Sequence, residues 1–128
     1  MKYITANASP FVPASHEDPT RPGVLKRVIA TAEHLQAGQV QMLNWARLPA
    51  GHSFCAHFHE DMQEVFVLLS GSVQMQIDEE SVRMNPSDTV LVEPREIHRM
   101  TNTGDEAAEY IVFGISSMAG GRTVVVED

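Results

Sequence analysis

The sequence predicts an all-β domain, an antiparallel sandwich or barrel. Three observations lead there. Its apolar and β-branched runs are short. Clusters of Gly, Pro, Asn, Asp and Ser separate them at close, regular intervals. Nowhere does an apolar stripe persist for three helical turns. A chain of 128 residues is the size of one domain, long enough to bury a core without disulfides or structural metal.

Residues 1–37 read as an N-terminal arm, partly strand. Up to about Gly23 they are rich in Pro, Ser, Thr and Ala without a period; "VLKRVIAT" (Val24 to Thr31) is β-branched and strand-like, and "AEHLQAG" is a turn or a single helical turn. Residues 38–116 carry the barrel. "QVQMLNWARL" stops at "PAG", and "SFCAHFH" stops at "EDMQ". "EVFVLLSG" meets "SVQMQID" at a Ser-Gly turn, and "EESVRM" ends at "NPSD". "TVLVEP", "HRMTNTG" and "AEYIVFGIS" follow, each closed by polar or glycine-bearing turns. "SMAGG" is a turn, and residues 117–128 finish the chain with a strand at "RTVVVED".

Composition excludes several roles. The formal net charge is −8, from 17 acidic and 9 basic residues, and an acidic surface repels phosphate backbones. No nucleic-acid partner is expected. The longest apolar run, "VFVLL", is far too short to span a bilayer, and the N-terminus shows no secretory apolar stretch. With Cys55 as the single cysteine, no intramolecular disulfide can form; a cytoplasmic, membrane-free protein is the expectation.

Three of the six histidines fall between Gly51 and Gly71. If "SFCAHFH" is one strand, alternation puts Ser53, Cys55, His57 and His59 on one face. Glu64, Phe66, Leu68 and Ser70 share a face of the next run, and His98, Met100 and Asn102 share a face further on. A hairpin at "EDMQ" would set Glu64 beside His57 and His59, and a closed barrel would gather all these faces inside. Charge in such an interior is unstable unless compensated. A metal ion compensates it, because neutral imidazole nitrogens and a carboxylate oxygen are good ligands for first-row divalent ions. Three His and one Glu suit Fe, Mn, Ni, Cu or Zn alike. They leave one or two positions of a five- or six-coordinate ion open, which points to catalysis or ligand capture.

The arrangement resembles the cupin superfamily. Gly51, five residues, His57, Phe58, His59, four residues, Glu64, six residues, Gly71 reproduces the first cupin motif with its spacing. "PSDTVLVEPREIHRMTN" supplies Pro94, His98 and Asn102 of the second, but Ser87 and Glu96 stand where glycines are usual. The resemblance runs from about Gly38 to Ser116. It implies a jelly-roll barrel, a double-stranded β-helix, with the metal on His57, His59, Glu64 and His98. A barrel of this kind hosts many chemistries, so the resemblance leaves the reaction open.

The expected function is a small metalloenzyme acting on a small organic molecule. Dioxygenase-like oxidation leads, with lyase, decarboxylase or isomerase chemistry behind it. The alternative is a non-catalytic binding or sensing module. Glu64 is a candidate base. Cys55, Phe66, Leu68, Met100 and Asn102 are candidates for the substrate pocket; Cys55 is either a pocket thiol or a small buried residue, and Asn102 either meets a ligand or pins a loop. The remaining methionines, among them Met118, read as packing, and Trp45 as barrel packing or a dimer contact. A homodimer is expected, with "VLKRVIAT" adding to a neighbour's sheet.

Overall fold

The computed structural model describes residues 1–117 and 122–126, so Met118 and most of the "SMAGG" turn lie outside the described residues. The fold is all-β, and no helix among these residues is long and apolar enough to cross a membrane. Among the described residues twelve strands form: β1 (Lys2–Ile4), β2 (Val12–Pro13), β3 (Leu25–Lys26), β4 (Gln39–Leu48), β5 (His57–His59), β6 (Met62–Ser70), β7 (Val73–Ile77), β8 (Glu80–Met84), β9 (Thr89–Val92), β10 (His98–Thr101), β11 (Ala108–Ser116) and β12 (Thr123–Val125). One five-stranded sheet has the order β1-β9-β6-β11-β4, and the other β12-β5-β10-β7-β8. β2 and β3 form a separate two-stranded hairpin.

This layout corrects the expected hairpins. β5 and β6 are consecutive but lie in different sheets, as do β6 and β7. In a jelly roll the chain crosses between sheets at its corners, so "EDMQ" and the Ser-Gly turn are corners rather than hairpin loops. Gly71 makes the second corner. Its φ is +88°, and a Cβ there would stand 2.9 Å from the Cβ of Ala108, so no larger residue fits.

The core lies between the sheets. Leu68, Val73, Met75, Met84, Val90 and Met100 have no solvent exposure at all. β7 alternates cleanly: Val73, Met75 and Ile77 are buried while Gln74 and Gln76 are exposed. β6 and β9 are apolar on both faces for a physical reason. Phe66 and Leu68 face the core, while Val65, Val67 and Thr89 lie on the outer face under arm residues Ile29, Ala30 and Leu35. A strand covered on both sides reads as a continuous apolar run.

The arm is tied down by polar contacts. Buried Asp88 accepts from the Tyr3 hydroxyl (2.8 Å), the Ala6 amide (2.7 Å) and the Asn85 amide (2.8 Å). Buried Gln63 accepts from the Gln36 amide at 2.9 Å and donates to the His34 carbonyl at 3.0 Å. The strand expected over Val24 to Thr31 shrinks to Leu25–Lys26, because only those two residues pair in a ladder, with β2.

Ser87, at a usual glycine position, adopts φ +73° in the turn before β9. A side chain in that left-handed region carries about 1 kcal/mol of strain. Ser87→Gly should therefore raise stability by about 0.5–1 kcal/mol, whereas Gly71→Ala should lower it by about 2 kcal/mol or more. Urea melts of the two variants check both signs.

Candidate metal centre

β5 sits between β10 and β12 in one sheet. His57 pairs with His98 across the β5–β10 ladder, and His59 pairs with Thr123 across the β5–β12 ladder. Glu64 comes from β6 in the facing sheet. One ligand atom from each of His57, His59, Glu64 and His98 lies within 4.8 Å of every other. Glu64 reaches the histidines across the barrel interior, where the sequence reading placed it beside them in a hairpin.

The imidazoles are oriented by their outer nitrogens. His57 Nδ1 donates to the Cys55 carbonyl at 2.7 Å, and His98 Nδ1 donates to the Glu96 carbonyl at 3.0 Å. A carbonyl oxygen only accepts, so Nδ1 carries the proton in both rings and the neutral form leaves a lone pair on Nε2. His59 Nδ1 meets the Thr123 hydroxyl at 3.0 Å, an oxygen that can hold the same tautomer. All three Nε2 atoms are thereby available as ligands, with outer partners of the sort that orient metal-bound imidazoles.

Glu64 faces these lone pairs. Its Oε1 lies 2.9 Å from His98 Nε2 and 2.9 Å from His59 Nε2. The second contact is at ion-pair distance yet off the line of a hydrogen bond, and buried His59 Nε2 has no well-aligned hydrogen-bond partner among the described residues. A proton on Nε2 or a bound cation bridges such a pair; without either, a carboxylate oxygen against two imidazole lone pairs is repulsive. Donors about 2.0–2.2 Å from one ion lie up to about 4.4 Å apart, close to the observed span. The residues therefore fit a single divalent transition metal, and this cluster could hold one.

The charge states agree with that fit. Burial opposes ionisation of Glu64, but the adjacent imidazoles of His59 and His98, when they carry a proton toward it, outweigh burial and hold its pKa at about 2. Burial pushes the His57 imidazole below its ordinary value, with His98 and His59 adding to the effect against opposing pulls from the Cys55 carbonyl and Glu64. The cluster offers an ionised carboxylate beside a neutral imidazole, the protonation states that metal ligands need.

The surrounding wall is aromatic. The Phe54 ring lies 5.3 Å from His57 and 5.9 Å from His98, centroid to centroid; Phe66 lies 5.9 Å from His98 and 5.7 Å from Tyr110. Phe54 and Tyr110 were not among the residues expected at the site. Period-two alternation in "AEYIVFGIS" puts Tyr110 on the buried face with Ala108 and Val112, a legible signal. Strict alternation would set Phe54 on the face opposite His57, but Ser53–Ala56 is not regular strand: one isolated bridge, Ser53 to Thr101, precedes β5. For the same reason Cys55 is exposed, and its contribution to the site is its carbonyl oxygen.

The other pocket candidates divide. Phe66 stands beside the histidines. Leu68 and Met100 are fully buried members of the core. The Asn102 amide donates to the Leu48 carbonyl at 3.0 Å and the Glu106 carbonyl at 2.8 Å, while its oxygen accepts from the Gly104 amide at 3.0 Å. Its donors are spent on pinning loops. His52 is exposed in a turn, and Arg47 is exposed and 3.5 Å from Glu109.

With this geometry in view, the relatives are informative. The family model described as a cupin domain matches residues 44–114, and the chain belongs to that family. It is 28% identical over 72 residues to the uncharacterized protein MJ1618 of Methanocaldococcus jannaschii, covering 56% of this chain and 58% of that protein. It is 30% identical over 77 residues to the tetracenomycin polyketide synthase protein TcmJ of Streptomyces glaucescens, covering 60% of this chain and 51% of that protein. The matched region thus spans between half and three-fifths of these relatives' length. An uncharacterized conserved protein from Klebsiella pneumoniae with a double-stranded β-helix domain superposes with a TM-score of 0.62 at 17% identity, over 73% of this chain and 75% of that one.

The hydrogen bonding of Asn102 yields a prediction. Asn102→Ala leaves the buried Leu48 carbonyl without its donor and frees the Glu106 carbonyl, and should cost about 1–3 kcal/mol. Chemical denaturation measures that loss, and metal content per folded molecule should stay unchanged.

Proposed function

We propose that this cupin is a metal-dependent enzyme acting on a small organic molecule, with His57, His59, Glu64 and His98 holding one divalent transition ion. The observation behind this reading is the convergence of three Nε2 atoms on the Glu64 carboxylate, with the outer nitrogens engaged elsewhere. When bound, the ion supplies Lewis acidity and a template for substrate oxygens, and redox chemistry if it is Fe, Mn, Ni or Cu. The chain's own groups do the rest. Phe54, Phe66 and Tyr110 present apolar surface beside the cluster, which excludes water and strengthens electrostatic interactions there. Burial, with the charge of Glu64 adding to it, raises the Tyr110 pKa, so its phenol stays protonated and able to donate a hydrogen bond. Glu64, held ionised, is the cluster's one carboxylate and the group able to take a proton from a bound substrate.

Oxygen-dependent oxidation of an enolic or phenolic molecule is the favoured chemistry. An aromatic wall suits a planar ring, and a relative at 30% identity is named as a polyketide synthase protein. The test is metal analysis followed by oxygen-uptake assays on apo and reconstituted protein against enols, diketones and phenolics. His57→Ala, His59→Ala and His98→Ala should each lower metal content at least tenfold while circular dichroism stays β-rich. Full occupancy in any one of them removes that residue from the ligand set. Uptake should follow metal occupancy and vanish in Glu64→Ala. If no ion supports turnover, yet one compound raises the melting temperature of the metal form alone, the protein is a sensing module.

Metal affinity should fall as pH drops, because the ligand imidazoles must be neutral to bind; burial, which holds the His57 pKa below its ordinary value, delays that loss at His57. Glu64, at about 2, stays ionised throughout and contributes nothing to the fall. Competition titrations from pH 5 to 8 measure the slope.

The protein is further proposed to form a homodimer through β4. This ten-residue strand is a sheet edge with no charged residue from Gln39 to Ala46. Val40 (60% exposed), Leu43 (69%) and Trp45 (69%) leave an apolar face uncovered beside it. Long, flat, apolar edges pair with other strands unless charge or Pro blocks them. Antiparallel pairing of two β4 strands about a twofold axis covers both at once. Light scattering should give a dimer at micromolar concentration and a monomer for Leu43→Lys; a monomeric wild type contradicts the assignment.

A further inference from the structure

The outer face of the β1-β9-β6-β11-β4 sheet carries a cavity that the metal cluster does not use. It measures about 220 Å³. Its floor is Val65 and Val67 of β6 with Phe113 of β11, and its roof is Ile29, Ala30 and Leu35 of the N-terminal arm. These six side chains are apolar. The seventh lining residue, Thr89 of β9, is fully buried, and its hydroxyl has no hydrogen-bond partner among the described residues.

A hydroxyl buried without a partner costs about 1–3 kcal/mol, so such groups are rare. Water is a poor solution for the depth of this cavity. A buried water needs two to four polar partners, and the lining side chains provide one. An organic molecule with a single polar group meets the site on its own terms: apolar surface against the valines, Ile29, Leu35 and Phe113, and one hydrogen bond at Thr89. Size narrows the class. An apolar cavity of roughly 150 Å³ accepts benzene, so 220 Å³ admits one ring with one substituent.

We propose that this cavity is a second small-molecule site, for a monocyclic ring carrying one hydroxyl group, held between the arm and the outside of the barrel. The site is separate from the metal cluster. Val65 and Val67 alternate along β6 with Glu64 and Phe66, so the two sites lie on opposite faces of one sheet. Roof residues Ile29, Ala30 and Leu35 are half-buried, which gives a ligand an entrance without unfolding the sheet.

The experiment uses the full chain loaded with zinc and two probes of matched size, phenol and toluene. Amide chemical shifts are followed by NMR during titration, alongside thermal melts. Phenol should bind saturably, with shifts clustered at residues 29–35, 65–67, 89 and 113, and about tenfold tighter than toluene. Thr89→Val should keep the fold, raise the melting temperature slightly by removing the unpartnered hydroxyl, and abolish the preference for phenol. Thr89→Ser should retain it. Ala30→Phe should fill the cavity and abolish binding of both probes. The proposal is overturned if neither probe saturates, if phenol shifts centre on His57, His59 and His98, if toluene binds as well as phenol, or if Thr89→Val keeps the preference. It is also overturned if Thr89→Val unfolds the protein, since that would mean the hydroxyl already serves a structural partner.

Discussion

The candidate metal centre of this protein depends on where three imidazole protons are held. The Cys55 and Glu96 carbonyls and the Thr123 hydroxyl engage the Nδ1 atoms of His57, His98 and His59. Once Nδ1 is engaged, each ring turns Nε2 inward. The barrel then confronts a buried carboxylate with buried nitrogen lone pairs, an arrangement stabilised by a bound cation or by protons on those nitrogens. The ionised state of Glu64, the low affinity of His57 for protons and the His59 Nε2 without a well-aligned partner are parts of the same electrostatic arrangement.

The fold delivers that arrangement by crossing between sheets. β5 is only three residues long and is flanked by β10 and β12, so His57 and His59 owe their positions to strands from distant parts of the chain. Glu64 follows within five residues, but the corner at Glu60 and Asp61 carries it to the opposite sheet. Two faces thus close on one point, and the aromatic rings of Phe54, Phe66 and Tyr110 pack around it. The same strand, β6, serves two interiors. Its inward residues meet the cluster and the core, while its outward valines lie beneath the arm.

Much of this was legible in the sequence, for particular reasons. The His57, His59, Glu64 spacing together with Gly51 and Gly71 is a dense local pattern, and strand alternation around His98 identified the remaining imidazole. The cupin family and the all-β architecture followed from it. Strand pairing was less legible, since a short link such as "EDMQ" has the same composition as a hairpin loop or a barrel corner. The alternation rule then failed at Ser53–Ala56, where the backbone is irregular, and exchanged Phe54 for Cys55. Thr123 could not be read at all. Its role depends on β12 returning more than sixty residues later to lie beside His59, a contact with no local signature. The apolar character of both faces of β6 was visible as "VFVLL", but nothing in that run shows that an arm covers the outer one.

Nitrogen-15 NMR of the zinc-loaded protein, resolving the two ring nitrogens of each histidine, tests the account most directly. The account predicts that His57, His59 and His98 all carry their proton on Nδ1 and bind zinc through Nε2, with the protons on His57 and His98 protected by their carbonyl partners. A proton on Nε2 of any of the three, or the absence of a zinc-dependent shift at its Nε2, would contradict it.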